Sequence, residues 1–320
     1  MLCRKSLCFR LNPPRVAQRR EYWYRAVNHQ RLFGSWNTLR TVMRSPMFYA
    51  HIAGVGTLVG MVYCYNLERT PISGRVRFNI MGESMTQQLG KKYYEREMER
   101  YNDTILPPTS TEHSLVQRIF ERIVASPGLA ADTWKLYVIN DPVRQAFVLP
   151  GGEVFVHTGL LNFCESEDEI AVVLGHEIMH RLMQHTSETL SRVLPIIFVD
   201  YLFSLASGID QDLVGLATDV MFLLPRSRAQ ETEADYFGVQ LAAKSGYDPS
   251  AALSMWSRWE ALEEEVVPVY LHTHPPHHQR LVSFHSWLSE AKRTRLQGRS
   301  QVFENAFALQ RCFCALDRHP

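Results

Sequence analysis

The chain has 320 residues, of which 46% are hydrophobic and 21% are charged, so it is long and apolar enough to bury a sizeable core. Its formal net charge of +1 excludes the large positive surplus that is typical of non-specific nucleic-acid binding. The six cysteines lack CxxC spacing, which excludes a small disulfide scaffold and predicts free thiols.

The first 45 residues differ in composition from the rest of the chain. They contain ten Lys or Arg residues and a single acid, Glu21. An Arg-rich, acid-poor segment is typical of a mitochondrial targeting presequence, whereas Pro13, Pro14 and the early arginines interrupt the apolar core that a secretory signal needs. We therefore predict a presequence over residues 1–45, with a disordered basic tail as the alternative.

An apolar segment follows directly. From Met47 to Asn66, MFYAHIAGVGTLVGMVYCYN contains no Lys, Arg, Asp or Glu over 20 residues. At a helical rise of about 1.5 Å per residue, this length matches a bilayer core of about 30 Å. The apolar character continues around the helix, which favours a transmembrane helix over residues 46–66 rather than a buried core helix. Three arginines flank each side, so charge does not predict its orientation.

The next segments predict a mixed domain. Residues 67–110 form a polar connector in which GKKYYEREMERY has helical character. A domain over 111–300 begins with a helix capped by Ser110 or Thr111, whose apolar stripe is formed by Leu115, Ile119 and Ile123. WKLYVI predicts a strand, and QAFVLPGGEVFVHTGLL predicts two strands joined at PGG. Since the remaining pattern is helical, we expect a mainly helical α+β fold with a small β-sheet, followed by a tail over 301–320.

Two apolar stretches lie in the helical half, VLPIIFVDYLFSLASG and LVGLATDVMFLLP. Each is shorter than about 18 residues and contains an aspartate, Asp200 or Asp219, so neither meets the criteria for a membrane span. We expect core helices. The alternative is a hairpin over residues 193–225 that dips into the membrane.

The motif HEIMH begins at His176. Residues i and i+4 share one face of a helix, so His176 and His180 can direct their imidazoles at one metal ion, with Glu177 beside them. In zinc metallopeptidases two neutral histidines bind the ion, and the glutamate takes a proton from the attacking water. The motif also lies in the apolar run EIAVVLGHEIMHRLM, where an unpaired imidazole would be costly. It predicts one zinc ion per chain and Glu177 as the general base.

A catalytic zinc usually takes a third protein ligand, and the segment SRAQETEADYFGVQLAAKSGYDP supplies candidates. Glu231 and Asp235 lie at positions i and i+4 of a predicted helix. We expect Glu231 to bind the metal and Asp235 to accept a proton from the outer ring nitrogen of a ligand histidine. Glu233 lies two residues from Glu231, so it should point away and be solvated.

Four segments together resemble the HtpX-like and CAAX-prenyl-protease-like family of membrane zinc metalloendopeptidases. They occur in that family's order, as AFVLPGGEVFVHTGLL, DEIAVVLGHEIMHRLMQH, SRAQETEADYFGVQLAAKSGYDP and THPPHHQRL. The resemblance covers about residues 111–289 and implies a zincin-type peptidase domain. It also implies that Glu177 is catalytic and that the zinc ligands are His176, His180 and Glu231.

Other residues match the family pattern less directly. His274 in THPP matches a family histidine near the metal, where it either supports the transition state or forms a structural His-Pro turn. His185 and Glu188 are expected to be structural. The strand around Ala146 to Leu149 is the predicted edge to which an extended substrate would add.

The leader, the single span and the segment TPISGRVRFN resemble the mitochondrial inner-membrane branch of the family. This implies a single-pass inner-membrane protein whose catalytic domain faces the intermembrane space. It also implies cleavage of misfolded inner-membrane proteins and stress-activated processing of a dynamin-like fusion GTPase. The implied partners are polypeptide substrates and the lipid bilayer, without nucleic acid, and a homo-oligomer is compatible with these features. The alternative is a non-catalytic scaffold or chaperone that retains the peptidase fold, but the intact Glu177 argues against it.

Overall fold

The computed structural model describes residues 43–126, 129, 134–207, 226–263 and 279–297. Most of the predicted presequence, the second apolar stretch, His274 and the tail 301–320 lie outside these residues. The described residues fall into two units, which divide between Cys64 and Tyr65.

The first described helix, α1, spans Pro46–Tyr65 and lies almost entirely in the first unit. None of its 20 residues is buried. Among the described residues, α1 is the only helix that is long and apolar enough to cross a membrane. A helix that exposes apolar side chains on all sides fits a lipid environment and does not fit the alternative of a buried core helix.

The second unit begins with a β-hairpin that the sequence did not predict. Strands β1 (Leu67–Arg69) and β2 (Val76–Phe78) pair in antiparallel fashion. Arg77 of β2 is buried, and its guanidinium donates hydrogen bonds to the carbonyl oxygens of Met183 and Gln184. The hairpin is therefore held by residues far along the chain, as part of the folded unit.

Two helices follow the hairpin. Helix α2 (Gly82–Tyr101) contains the segment GKKYYEREMERY, so this predicted helix is confirmed. Helix α3 (Thr111–Val124) begins after Ser110, whose hydroxyl accepts a hydrogen bond from the backbone N–H of His113 at 3.1 Å. This N-cap satisfies a donor of the first turn that has no partner within the helix. The predicted apolar stripe of α3 turns toward the core and consists of Leu115, Ile119 and Ile123.

A three-stranded sheet comes next, formed by β3 (Lys135–Ile139), β4 (Ala146–Val148) and β5 (Glu153–His157). Strand β5 is central, parallel to β3 and antiparallel to β4. Gly152, in the turn between β4 and β5, has a φ of 100°, which glycine adopts without steric cost. The predicted strands and turn are confirmed, and β4 forms an edge of this sheet.

The described residues after the sheet form six helices: α4 (Thr158–Phe163), α5 (Glu167–Leu182), α6 (His185–Ser207), α7 (Arg228–Lys244), α8 (Ala251–Glu263) and α9 (Gln279–Gln297). Helix α5 is buried on nearly every side, because it packs against α3, β4, α7 and α8. The first apolar stretch continues α6 as far as Ser207. The predicted mainly helical α+β fold with a small sheet is confirmed.

Two glycines set the distance between α5 and α7. A Cβ added at Gly238 would lie 2.8 Å from the Cα of His176, and one added at Gly175 would lie 2.6 Å from the carbonyl oxygen of Gly238. Such distances are too short for any side chain. The backbones of the two helices can therefore touch at the start of the HEIMH motif.

Candidate metal centre

Helix α5 carries the HEIMH motif in its second half. Its first turn is capped by Ser166, whose hydroxyl accepts a hydrogen bond from the N–H of Glu169 at 3.3 Å. Three consecutive acids in this turn stabilise the helix, because their negative charges lie near the positive end of the helix dipole. The helix continues from this cap to Leu182 without a break, so His176 and His180 lie on one face. Glu177 is buried next to His176.

Three possible ligand atoms converge between α5 and α7. The Nε2 atoms of His176 and His180 are 2.9 Å apart. Glu231 places Oε2 at 3.6 Å from the first of these atoms and Oε1 at 3.4 Å from the second. Donors at about 2.0–2.1 Å from a tetrahedral zinc ion lie about 3.3 Å from one another. The three buried side chains therefore fit a single ion of that size.

Glu231 is placed by the start of α7. Ser227 and Gln230 form a capping box, so the helix begins one turn before the carboxylate faces α5. Glu231 is fully buried, and this burial raises its pKa. A bound cation would favour the ionised form of the same carboxylate.

The outer nitrogen of His176 faces a second carboxylate. Its Nδ1 lies 3.0 Å from Oδ1 of Asp235, one helical turn after Glu231. Arg280 of α9 donates to both oxygens of Asp235, at 2.8 and 2.6 Å. Burial opposes ionisation of Asp235, but Arg280 and His176 outweigh it and keep its pKa below the usual range. The carboxylate is therefore charged and held where it can accept the Nδ1 proton of His176.

The outer nitrogen of His180 faces another histidine. Its Nδ1 lies 2.8 Å from Nδ1 of His185, which is fully buried. The Nε2 of His185 lies 3.0 Å from Oε2 of Glu233. Burial lowers the pKa of His185, so its ring is neutral at pH 7.

A sharp turn brings His185 back to the metal site. Helix α5 ends at Leu182, and Gln184 has a φ of 54°, which reverses the local backbone before α6 starts at His185. Arg77 stabilises this turn, since it donates to the Gln184 carbonyl and, at 3.0 Å, to its side-chain oxygen. Without the turn, a continuous helix would direct position 185 away from His180.

The prediction that Glu233 is solvated is wrong. Its carboxylate contacts His185 and also accepts hydrogen bonds from Nε and Nη2 of Arg75, both at 2.9 Å. Burial opposes its ionisation, but His185, Arg75 and Ser73 outweigh it and lower its pKa to about 2. Glu233 does point in a different direction from Glu231, as predicted. It faces the β1–β2 hairpin rather than water.

Glu188 is also held by the hairpin. The guanidinium of Arg75 donates to both of its oxygens, at 3.1 and 2.7 Å. Arg75 thus bridges Glu188 of α6 and Glu233 of α7. Arg75 precedes β2 directly, so one residue of the hairpin connects α6 with α7.

A cleft lies beside the proposed ligands. It is lined by Val148 of the edge strand β4, by Leu149 and Pro150 after it, and by His180. Residues of α2 line its opposite part, among them Glu83 and Gln87. The cleft therefore lies between the end of β4 and His180, the one proposed ligand that lines it.

Several residues around the site escaped sequence reasoning. Arg75, Arg77 and Arg280 reach it from segments that are distant in the chain, and arginines give no local signal of such contacts. Arg280 lies within THPPHHQRL, so the family motif was the only available indication. His274 of the same motif lies outside the described residues.

Comparisons with known proteins agree with this geometry. Residues 110–288 match peptidase family M48. The mitochondrial metalloendopeptidase OMA1 of Schizosaccharomyces pombe is 36% identical over 248 residues, which cover 77% of this chain and 72% of the relative. Its Saccharomyces cerevisiae counterpart is 32% identical over 252 residues, 72% of each chain. The beta-barrel assembly-enhancing protease of Escherichia coli is 24% identical over 235 residues, 70% of this chain and 48% of the relative.

The match covers more than half of the chain and includes both helices that carry the converging donors. The yeast relatives extend the similarity beyond the matched domain. From the sequence, the buried donor set and these comparisons, we conclude that the chain belongs to peptidase family M48 and is a metalloendopeptidase.

Proposed function

We propose that the chain is a zinc metalloendopeptidase, anchored in the mitochondrial inner membrane, that cleaves misfolded or regulated membrane proteins. One observation carries the proposal: His176, His180 and Glu231 direct three donor atoms at one buried point, and Glu177 follows the first ligand directly. The donor set of two imidazoles and one carboxylate is typical of catalytic zinc sites that keep a further position open.

The four residues have distinct roles. His176 and His180 would hold zinc through Nε2, and Glu231 would hold it through its carboxylate. Zinc bound there would polarise the scissile carbonyl and lower the pKa of the attacking water. Glu177 takes the proton from that water and delivers it to the leaving amine. Glu177 is fully buried, so its carboxylate is shielded from bulk water.

We propose that an extended substrate adds to the edge strand β4. Phe147 of β4 pairs with Phe155 of β5 on one side, and the other side of the strand has no neighbour within the described sheet. Main-chain hydrogen bonds to such an edge require that the substrate segment is unfolded. They depend little on the sequence of that segment. Since Val148 and His180 line one cleft, a peptide bound along β4 would pass the metal centre.

The proposed location rests on three features: the Arg-rich leader, the apolar helix α1 and relatives that are named mitochondrial. We propose one membrane span, with the peptidase domain in the intermembrane space. A C-terminal tag would then be digested by added protease once the outer membrane is ruptured. A tag that stays protected until detergent is added would refute this orientation.

Cleavage of an unfolded membrane protein by the full-length chain in lipid bilayers tests the activity. Wild-type protein should cleave, chelator should stop cleavage and zinc should restore it. Glu177→Gln should reduce the rate by at least about 100-fold, because it removes the group that transfers the proton. Glu167→Gln is the matched control, since Glu167 is an exposed glutamate in the first turn of the same helix, and it should leave the rate within about twofold.

Zinc content identifies what a negative result means. A Glu177→Gln variant that holds zinc and cleaves like wild type would refute the general base. Wild-type protein that holds one zinc ion but cleaves nothing in bilayers would favour the scaffold alternative. Wild-type protein that binds no zinc would refute the metal site itself.

A further inference from the structure

The two proposed histidine ligands are supported in different ways. His176 is held directly by Asp235, a carboxylate of α7 that is paired with an arginine. The Nδ1 of His180 instead faces the ring of His185, with the two Nδ1 atoms 2.8 Å apart. Glu233, a carboxylate of α7 that is paired with Arg75, contacts the far side of His185.

The contacts around His180 allow one consistent arrangement of protons. If Nε2 of His180 binds the metal, its Nδ1 carries the proton and must donate it. Nδ1 of His185 is then the acceptor at 2.8 Å, so Nε2 of His185 carries its own proton. That proton points to Oε2 of Glu233 at 3.0 Å. Both rings stay neutral, and each hydrogen bond has one donor and one acceptor.

Arg75 fixes the outer end of this series. It donates to Glu233 through Nε and Nη2, both at 2.9 Å, and the hydroxyl of Ser73 donates to the same carboxylate. Its other contacts, with Glu188, tie it to α6, the helix that begins with His185. The side chain that accepts from His185 is therefore clamped from outside, and the clamp belongs to the β1–β2 hairpin.

We propose that His185, Glu233 and Arg75 are positioning residues that hold His180 in the orientation and tautomer required for metal binding. We call this series the His185 relay. The inference rests on the proposed metal site, and it deepens that proposal by assigning a function to a hairpin that lies outside the matched peptidase domain. Partners of this kind typically change metal affinity by about 10–100-fold.

Zinc affinity of the full-length chain in detergent micelles, measured at pH 7.5 by competition with a chromophoric chelator, tests the relay. His185→Leu removes the acceptor and should weaken zinc binding by about 10–100-fold. His185→Asn keeps an acceptor oxygen facing His180, so it should recover part of that loss. His157→Gln is the matched control, because His157 is equally buried but lies in β5 away from the metal centre, and it should change affinity by less than about twofold.

A double-mutant cycle separates positioning from general destabilisation. If Glu233 acts on the metal only through His185, Glu233→Gln should weaken zinc binding in the wild-type background and have no further effect in His185→Leu. Additive effects of the two substitutions would overturn the relay. Glu169→Gln is the control for loss of a buried, arginine-paired carboxylate, and it should leave zinc affinity unchanged.

Two further measurements complete the test. The visible spectrum of the Co²⁺-loaded protein should change in His185→Leu and less in His185→Asn, because the spectrum reports ligand geometry. Melting of the metal-free proteins shows whether a variant is merely unfolded. Unchanged zinc affinity and spectrum in His185→Leu would overturn the relay, even if the wild-type protein cleaves substrate. Weakened affinity in a protein that never cleaves would support the relay and refute the proposed activity.

Discussion

Three acids of α7 that lie within five positions have three different environments. Glu231 faces the ring nitrogen of His176 and the guanidinium of Arg280, but its complete burial outweighs both and raises its pKa. Asp235 and Glu233 each meet a guanidinium and a histidine, so both pKa values are lowered. The carboxylate with the least local compensation is therefore the one placed to meet a cation. Sequence spacing separated Glu231 from Glu233 correctly, but it could not identify the hairpin that Glu233 faces.

Another buried histidine, His157, should make the fold sensitive to acid. Burial lowers its pKa to about 4, with Asp141 at 3.7 Å as a partly compensating charge. In the unfolded chain a histidine takes up its proton near pH 6.5. The stability associated with neutral His157 is thus complete above about pH 6.5 and is lost as the pH falls toward 4. At pH 5 the loss is about 2 kcal/mol.

Thermal melting of wild type and His157→Gln at pH 7 and pH 5 checks this expectation. Wild type should lose several degrees more than the variant over this interval, on the order of 5 °C. All other residues are the same in the two proteins, so the difference between them isolates His157. Equal losses would show that His157 does not become charged on unfolding in this range.

At the level of elements, the contact between α5 and α7 controls the metal centre. Gly175 and Gly238 leave no room for a Cβ, and the ligands on the two helices lie next to this contact. The distance between the helices therefore sets the distance from Glu231 to the two histidines. The two glycines thus influence the metal site without contacting the metal, because they lack a side chain that would separate the helices.

Gly238→Ala should separate the helices. The added Cβ would meet the backbone of His176 at 2.8 Å, which no rotamer change can relieve. We expect a loss of about 1–3 kcal/mol in folding free energy and weaker zinc binding. Gly56→Ala is the control, because an added Cβ there meets no described atom within 4 Å. The expectation would be wrong if Gly238→Ala matched this control in melting temperature and zinc affinity.

The elements that the sequence predicted are those that local patterns define. Helix α3 has its own cap and apolar stripe, and the β4–β5 hairpin has a glycine turn between β-branched residues. The β1–β2 hairpin has strands of three residues, and its stability depends on Arg75 and Arg77, which contact α6, α7 and the turn after α5. No periodicity within so short a segment can report such long-range contacts.

At the metal site, too, the sequence predicted the residues that local spacing defines. Spacing alone brought His176 and His180 together, and the i to i+4 relation paired Glu231 with Asp235. The outer partners were not predictable, because Arg280 and Arg75 approach from helix α9 and the hairpin. The turn at Gln184, with its positive φ, also had no glycine to indicate it.

For the whole molecule, the second unit buries several ionisable groups around one point. Its metal-binding face contains His176, His180 and Glu231, all nearly inaccessible to solvent. Burying such groups is costly unless charge is compensated, and a bound cation supplies that compensation. Folding and metal binding should therefore be strongly coupled.

Removing the metal should lower the melting temperature. At a zinc concentration about 1,000 times the dissociation constant, binding adds about 4 kcal/mol of stability, which corresponds to a shift on the order of 10 °C. Glu177→Gln protein is suited to this measurement because it should not digest itself. Chelator should produce the shift and excess zinc should reverse it, whereas excess Mg²⁺, which prefers oxygen ligands, should not. Equal melting temperatures with and without zinc would contradict a folded-state metal site.

The ligands also lie far apart in the chain, since two come from α5 and one from α7. A bound ion is thus a cross-link between His180 and Glu231 that closes the intervening loop, much as a disulfide would. Unlike a disulfide, this cross-link needs no oxidant and forms only where zinc is available. Until a metal ion binds, this cross-link is absent, so the metal-free chain should be both less stable and inactive.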